Sequence, residues 1–194
     1  HVYGLDLKLE YLQLARGHAP GTELIQGDAH QQPFADGSFD LVLCHFLLLW
    51  VAEPRSIVAE MKRLVRPGGS VLALAEPDYG GRIDYPEEFA KLGRLQENAL
   101  RWQGAEPRLG RQLGAIFQRA GLVEIETGVL GGQWRKPPSQ DELETEWAVM
   151  AADLEGQIDR DELERLKALE ATAWRNGERV LFVPTFYAWG KASP

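Results

Sequence analysis

The run Val71-Leu72-Ala73-Leu74-Ala75 is apolar at every position, between Pro67-Gly68-Gly69 and Glu76. A strand with one wet face alternates polar and apolar residues. A strand apolar throughout is covered on both faces, as parallel strands of α/β sheets are. The stretch before it fits that reading. Ile57, Val58, Met61, Leu64 and Val65 fall on one helical face, and the Pro-Gly-Gly triplet ends the helix. Upstream, Val2 to Leu7 is a short apolar run. Leu9, Leu12 and Ala15 then have helical spacing, and Gly17 and Pro20-Gly21 break the chain. Thr22 to Ile25 predicts a short strand ending at Gly27-Asp28. Phe39 to Leu49 predicts a buried strand plus a turn of helix, after a polar turn over Pro33 to Ser38. Strand, helix, strand, strand, helix, strand is the order of a doubly wound α/β sheet.

The second half is richer in helix. Pro86 suits a first helical position, and Phe89, Leu92, Leu95, Ala99 and Trp102 form one stripe. Leu109, Leu113, Ile116, Phe117 and Ala120 form another, closed by Gly121. Val123 to Leu130 predicts a strand. Ser139 and Glu142 have capping-box spacing, ahead of Leu143, Trp147, Met150, Ala151 and Leu154. Leu163, Leu166, Leu169, Ala173 and Trp174 predict a further helix. Val180 to Trp189 predicts a last strand, with Pro184 marking an edge position or a bulge.

The 194 residues suffice for one domain with a full core. A net charge of -8 argues against a nucleic-acid backbone or an anionic membrane as main partner. The lone Cys44, inside an apolar run, allows no internal disulfide and fits a reducing, cytoplasmic setting. No apolar run is long enough for membrane insertion. No spacing among His, Cys and acidic residues points to a metal site. His18 and His30 fall in expected loops.

Two acidic positions carry the chemistry. Asp6 follows an apolar run, and ligands of open α/β sheets bind at the carboxyl ends of strands. A carboxylate there can accept both hydroxyls of a ribose; it can equally cap a helix. Gly27-Asp28-Ala29 repeats the arrangement one strand later. Asp28 can accept from an exocyclic amine such as adenine N6, and the small Ala29 lets a ring approach the backbone; Asp28 can equally close an Asx turn. His45 stands near the far end of the next strand, either facing a ligand or satisfied in the core. Asp40, opening that strand, reads as structural.

Four pieces occur in order: Val2-Tyr3-Gly4-Leu5-Asp6; Gly27-Asp28-Ala29; Pro33-Phe34-Ala35-Asp36-Gly37-Ser38-Phe39-Asp40-Leu41-Val42; and Leu64-Val65-Arg66-Pro67-Gly68-Gly69. Together they resemble the class I S-adenosylmethionine-dependent methyltransferases, in the branch of the ubiquinone and menaquinone C-methyltransferases. The resemblance covers about the first 80 residues. It implies a Rossmann-like α/β fold: a doubly wound sheet, mostly parallel, with an antiparallel C-terminal strand and helical lid insertions. The whole chain, 1–194, is expected to be one such domain, with 86–108 and 139–176 as the lid over a small-molecule acceptor.

The resemblance also implies roles. Asp6 holds the cofactor ribose and Leu7 packs on adenine. Asp28 and Ala29 contact adenine. His45 and Phe46 pass near the methionine part, and Arg66 to Gly69 is a structural turn. The family's first strand and its Gly-rich loop are not in this sequence. In the family that strand lies between those carrying Asp6 and His45, so a gap in the sheet is expected there, with residues expected upstream of His1. Leu47-Leu48-Leu49-Trp50 departs from the polar residues of many relatives.

On the acceptor side, Glu76, Asp78 and Tyr79 are weak candidates for catalytic roles, as is His45. Glu76 could instead cap a strand, and Asp78 could start the turn before Gly80-Gly81. Trp102, Trp134, Trp147 and Trp174 read more readily as core than as pocket. Arg82, Arg101, Arg108 and Arg135 could bind an anionic acceptor or lie on the surface. The expected function is methyl transfer from S-adenosylmethionine to a small molecule. The alternative is an inactive cofactor- or partner-binding module of the same fold. A nicotinamide oxidoreductase fits the acidic strand tip but not the residues that follow.

Overall fold

A computed structural model describes residues 1–131 and 137–193. Trp134 and Arg135 lie outside the described residues. The elements are β1 (Tyr3–Asp6), α1 (Leu9–His18), β2 (Glu23–Gln26), β3 (Phe39–His45), α2 (Pro54–Leu64), β4 (Val65–Pro77), β5 (Ile83–Tyr85), α3 (Ala90–Trp102), α4 (Leu113–Arg119), β6 (Val123–Leu130), α5 (Gln140–Asp153), α6 (Arg160–Arg175), β7 (Val180–Phe182) and β8 (Thr185–Lys191).

The central sheet has the order β3-β4-β8-β6. β3 and β4 run parallel. β8 runs antiparallel to both its neighbours, β4 and β6. β1 and β2 pair in parallel as a separate two-stranded sheet. No ladder joins β1 to β3, which belong to separate sheets. Edge-to-face rings connect the starts of the two strands instead. Tyr3 lies 5.7 Å from Phe39 and 5.3 Å from Phe34, and Phe34 lies 4.9 Å from Phe39, between centroids. Arg63 on α2 holds the turn that carries Phe34. It donates to the Phe34 carbonyl and to the carboxylates of Asp36 and Glu60. The Pro-Phe-x-Asp-Gly-Ser-Phe-Asp stretch is thus a strut between helix and strands.

Apolar patterning produces two cores. Ile57, Val58 and Met61 of α2 bury their stripe with Leu113 and Phe117 of α4 and with Val71 and Ala188 of the sheet. Phe89, Leu92, Ala99, Trp147, Leu154 and Leu166 form a second core among the later helices. The capping box at the head of α5 is formed: Ser139 N–H donates to Glu142 at 2.7 Å, and Glu142 N–H donates back to the Ser139 hydroxyl at 3.3 Å.

Five local expectations are corrected. The stretch from Val180 to Trp189 is two strands, β7 and β8, in different sheets. Pro184 stands at the crossing between them, neither on an edge nor in a bulge, and its carbonyl accepts from Asp78 N–H. Helix α2 passes straight into β4 at Val65, with Pro67-Gly68-Gly69 inside the strand's irregular start; a register shift opposite Phe39 and Leu41 absorbs the extra residues. Pro86 precedes a short 3-10 turn over Glu87–Phe89 rather than opening a helix. Trp102, on the expected buried stripe, is 76% exposed, although Ala99 and Leu100 in the same last turn of α3 are buried. His18 ends α1 rather than lying in a loop.

Candidate functional site

The parallel register of β1 and β2 aligns Asp6 with Gln26. Asp6 therefore stands at one strand tip, and Asp28 lies two residues past the neighbouring tip. Each carboxylate has one oxygen engaged locally. Oδ1 of Asp6 accepts from Lys8 N–H at 2.8 Å, at the entry to α1. Oδ1 of Asp28 accepts from His30 N–H at 2.8 Å and lies 2.9 Å from His30 Nδ1. The His30 backbone N–H, then its ring, hold the Asp28 carboxyl below the usual carboxylate range. Asp28 thus closes a local turn, whereas Asp6 does not cap α1, whose N-cap position is Lys8; each local contact occupies one oxygen. The second oxygen of each carboxylate has no partner among the described residues. Leu7 projects into solvent beside Asp6 (66% exposed), and Ala29 packs on the edge of the main core.

His45 ends β3 and Phe46 follows it, in a sheet separate from that of Asp6. His45 is exposed rather than a core histidine. Phe46 takes a left-handed φ of 52°, turning the chain sharply away from the sheet. Leu48–Trp50 then forms a 3-10 turn with Leu48 and Leu49 buried, while Phe46 and Trp50 present edge-to-face rings outward.

The candidates beyond β4 have defined structural partners. Glu76 is fully buried and accepts from Leu47 N–H at 2.9 Å, Leu48 N–H at 2.8 Å and Leu49 N–H at 3.1 Å. Burial pushes its carboxyl above the usual range while the three N–H groups pull it down. Asp78 does start the turn before the glycines: it accepts from Gly80 N–H at 3.1 Å, and Arg111 forks onto it. Tyr79 packs on the main core, and burial pushes its phenol up. Among the arginines considered for an anionic acceptor, Arg82 is buried against Asp84 and Gln96, while Arg101 and Arg108 share Glu97. Arg82 is therefore committed inside the protein and is not a surface residue.

Sequence reading missed Phe46's backbone conformation, the His30–Asp28 pair and the triple acceptance by Glu76. His30 stands two residues after Asp28, which was a usable signal. The other two depend on contacts across roughly thirty residues of sequence and carried none.

The loop after α3 is pressed against the end of β4. A Cβ on Gly110 would lie 2.6 Å from the Glu76 carbonyl oxygen and 2.7 Å from the Phe186 ring. Backbone cannot yield cheaply, so Gly110→Ala is expected to cost roughly 1–3 kcal/mol of stability, the usual range for overpacking. Urea denaturation measures it; an unchanged midpoint would mean the loop can retreat.

The sheet order and the sheet-covering helices define a Rossmann-like α/β domain. The model of a family described as a methyltransferase domain matches residues 1–73. Over that stretch the chain is similar to methyltransferase domains, and the curated relatives it matches include demethylmenaquinone methyltransferases. A demethylmenaquinone methyltransferase of Renibacterium salmoninarum is 40% identical over 81 residues, covering 41% of this chain and 34% of that protein. That of Bacillus velezensis is 29% identical over 148 residues, covering 64% of this chain and 61% of that protein. An uncharacterized protein of transposon TN4556 in Streptomyces fradiae is 31% identical over 179 residues, covering 86% of this chain and 50% of that protein. The chain thus spans between about a third and three fifths of these relatives' lengths. A candidate methyltransferase from Bacillus halodurans shares the fold at a TM-score of 0.60 and 19% identity, covering 100% of this chain and 83% of that one.

Proposed function

We propose that this chain carries the nucleoside half of a S-adenosylmethionine site and transfers a methyl group to a small-molecule acceptor. The observation behind the reading is the β1–β2 register, which sets two carboxylates at neighbouring strand tips, each with one oxygen free. The donors of an adenosyl group match them. The ribose hydroxyls suit Asp6, and the N6 amine suits Asp28, some distance along the same edge. Leu7 offers an apolar surface to the adenine ring, and Ala29 leaves room for it. The similarity of residues 1–73 to methyltransferase domains supports S-adenosylmethionine over other adenosyl ligands.

When bound, S-adenosylmethionine supplies a sulfonium methyl for in-line displacement, a reaction that depends on alignment above all. His45 and Phe46 at the β3 tip would lie beside the methionine end. A base is needed only where the acceptor must lose a proton, and His45 is the exposed titratable group there. The regions 86–108 and 139–176 would cover the acceptor, as helices stacked on their own core beside the β4 end. The gap between β1 and β3 suits one extended strand. β3 offers it the exposed Leu41 and Leu43 (46% and 53%), and a two-stranded sheet such as β1–β2 is only marginally stable by itself. A strand in that slot would carry the cofactor's remaining contacts.

Titration calorimetry of the intact gene product with S-adenosylmethionine tests the reading. Asp6→Ala is expected to weaken binding by about 1–3 kcal/mol, the loss usual for a hydrogen bond to a charged group. An unchanged dissociation constant would remove Asp6 from the site.

A further inference from the structure

We propose that Glu76 is a positioning residue, whose buried carboxylate fixes the Phe46–Trp50 loop in the shape that receives the amino-acid half of the cofactor. The inference rests on the nucleoside-site reading above and assigns a task that reading left open.

Three consecutive backbone N–H groups converge on this one side chain, two on Oε1 and one on Oε2. They are the first donors of a tight turn, and such donors have no partner within the turn itself. The side chain is sealed from solvent, so no water can replace it. No lysine or arginine forms an ion pair with it among the described residues. A buried charge held by backbone donors alone is costly, and it persists only where a specific geometry is over-determined.

The geometry it secures is directional. Phe46 N–H donates to the Leu74 carbonyl at 3.0 Å, which pins the first residue past the strand in its left-handed conformation. The Leu49 carbonyl accepts from Glu106 N–H at 2.7 Å, closing the far side of the loop. Leu48 and Leu49 are anchored at 0% exposure, whereas Phe46 and Trp50 stay 39% and 41% exposed. The carboxylate lies under the loop and the two rings face out at the strand tip. Glu76 itself touches no ligand.

Glu76→Gln keeps the shape but turns an N–H₂ group toward one of the three N–H donors, so at least one loses its acceptor. The test compares S-adenosylhomocysteine with adenosine, which lacks the amino-acid half, by calorimetry on the intact gene product. The expected result is a dissociation constant raised about tenfold for S-adenosylhomocysteine, the loss of a charged hydrogen bond, with adenosine unchanged. Amide hydrogen exchange at Leu47, Leu48 and Leu49 is expected to speed up in the same variant. A general loss of structure would weaken both ligands together, and that result, or no change in either, overturns the positioning role. Failure of the unsubstituted protein to bind adenosine would overturn the nucleoside site itself, and this proposal with it. Should the variant not fold, exchange in the unsubstituted protein decides. S-adenosylhomocysteine is expected to protect the Leu47–Leu49 amides where adenosine does not, and equal effects of the two ligands would refute the proposal.

Discussion

Arg179→Met is expected to lower stability by about 3–5 kcal/mol, the cost of stripping one partner from a buried ion pair. For a chain of this size that is a fall of roughly 6–20 °C in Tm. Arg179 is 4% exposed and is placed to matter in three ways. Its Nε donates to Glu170 at 2.7 Å, its Nη2 lies 3.0 Å from Asp84, and its guanidinium stacks 4.2 Å above the Phe89 ring. The partners are committed as well. Glu170 accepts from the Trp147 indole N–H at 2.7 Å, and Asp84 from Arg82 at 2.6 Å. This network ties β5 to α5 and α6 through the second core, so its loss reaches every helix expected to cover an acceptor. Methionine fills much of the volume but leaves Glu170 without its cation and Asp84 with Arg82 alone. The double variant Arg179→Met with Glu170→Leu removes an opposite pair of charges together. It is expected to cost less than Arg179→Met alone, because no new unpaired carboxylate remains at position 170. Thermal and urea unfolding measure both variants. A double variant at least as damaging as the single one would show that packing, not charge, holds this part together.

That network also marks where sequence reading stops. The stripes of α2 and α4 were legible because each buries one face against a sheet, and the spacing of Ile57, Met61 and Leu64 carries that face on its own. The uniform apolarity of Val71 to Ala75 carried β4 for the same reason. β5 was not legible. Its three residues earn strand status only by pairing with β7, nearly a hundred residues later. Pro184 was noticed, but a proline signals a break without saying that the two halves join different sheets. Arg82 read as a cation for an anionic acceptor or for the surface because nothing local shows that Gly93 leaves a bare patch of helix for it. A Cβ there would lie 2.8 Å from the Arg82 guanidinium. Of the candidate site, the position of the two carboxylates was legible because it is set by the end of a strand. Glu76's task is set by a loop 27 to 29 residues upstream, and its sequence neighbours are silent about it.

Removing both strand-tip carboxylates is expected to bring the largest loss of binding. Asp6→Ala with Asp28→Ala should weaken the adenosyl ligand by roughly 2–6 kcal/mol, the sum of two charged hydrogen-bond losses of about 1–3 kcal/mol each. That corresponds to about thirtyfold to twenty-thousandfold in Kd. The sum holds only where the two side chains act on separate parts of one ligand, which modified nucleosides can examine. 2′-Deoxyadenosine lacks a hydroxyl that Asp6 would accept, so Asp6→Ala should cost less against it than against adenosine. Inosine lacks the N6 amine, so Asp28→Ala should cost less against inosine. Each variant should be indifferent to the other's analogue. Fold stability is expected to move little, since each carboxylate makes only local turn contacts and Asp28 is well exposed. Unfolding midpoints measured alongside separate a lost contact from a lost fold. If Asp6→Ala responds to the loss of the amine, or Asp28→Ala to the loss of the hydroxyl, the nucleoside lies in another orientation. If neither variant responds to either analogue, the two carboxylates are turn residues and nothing more.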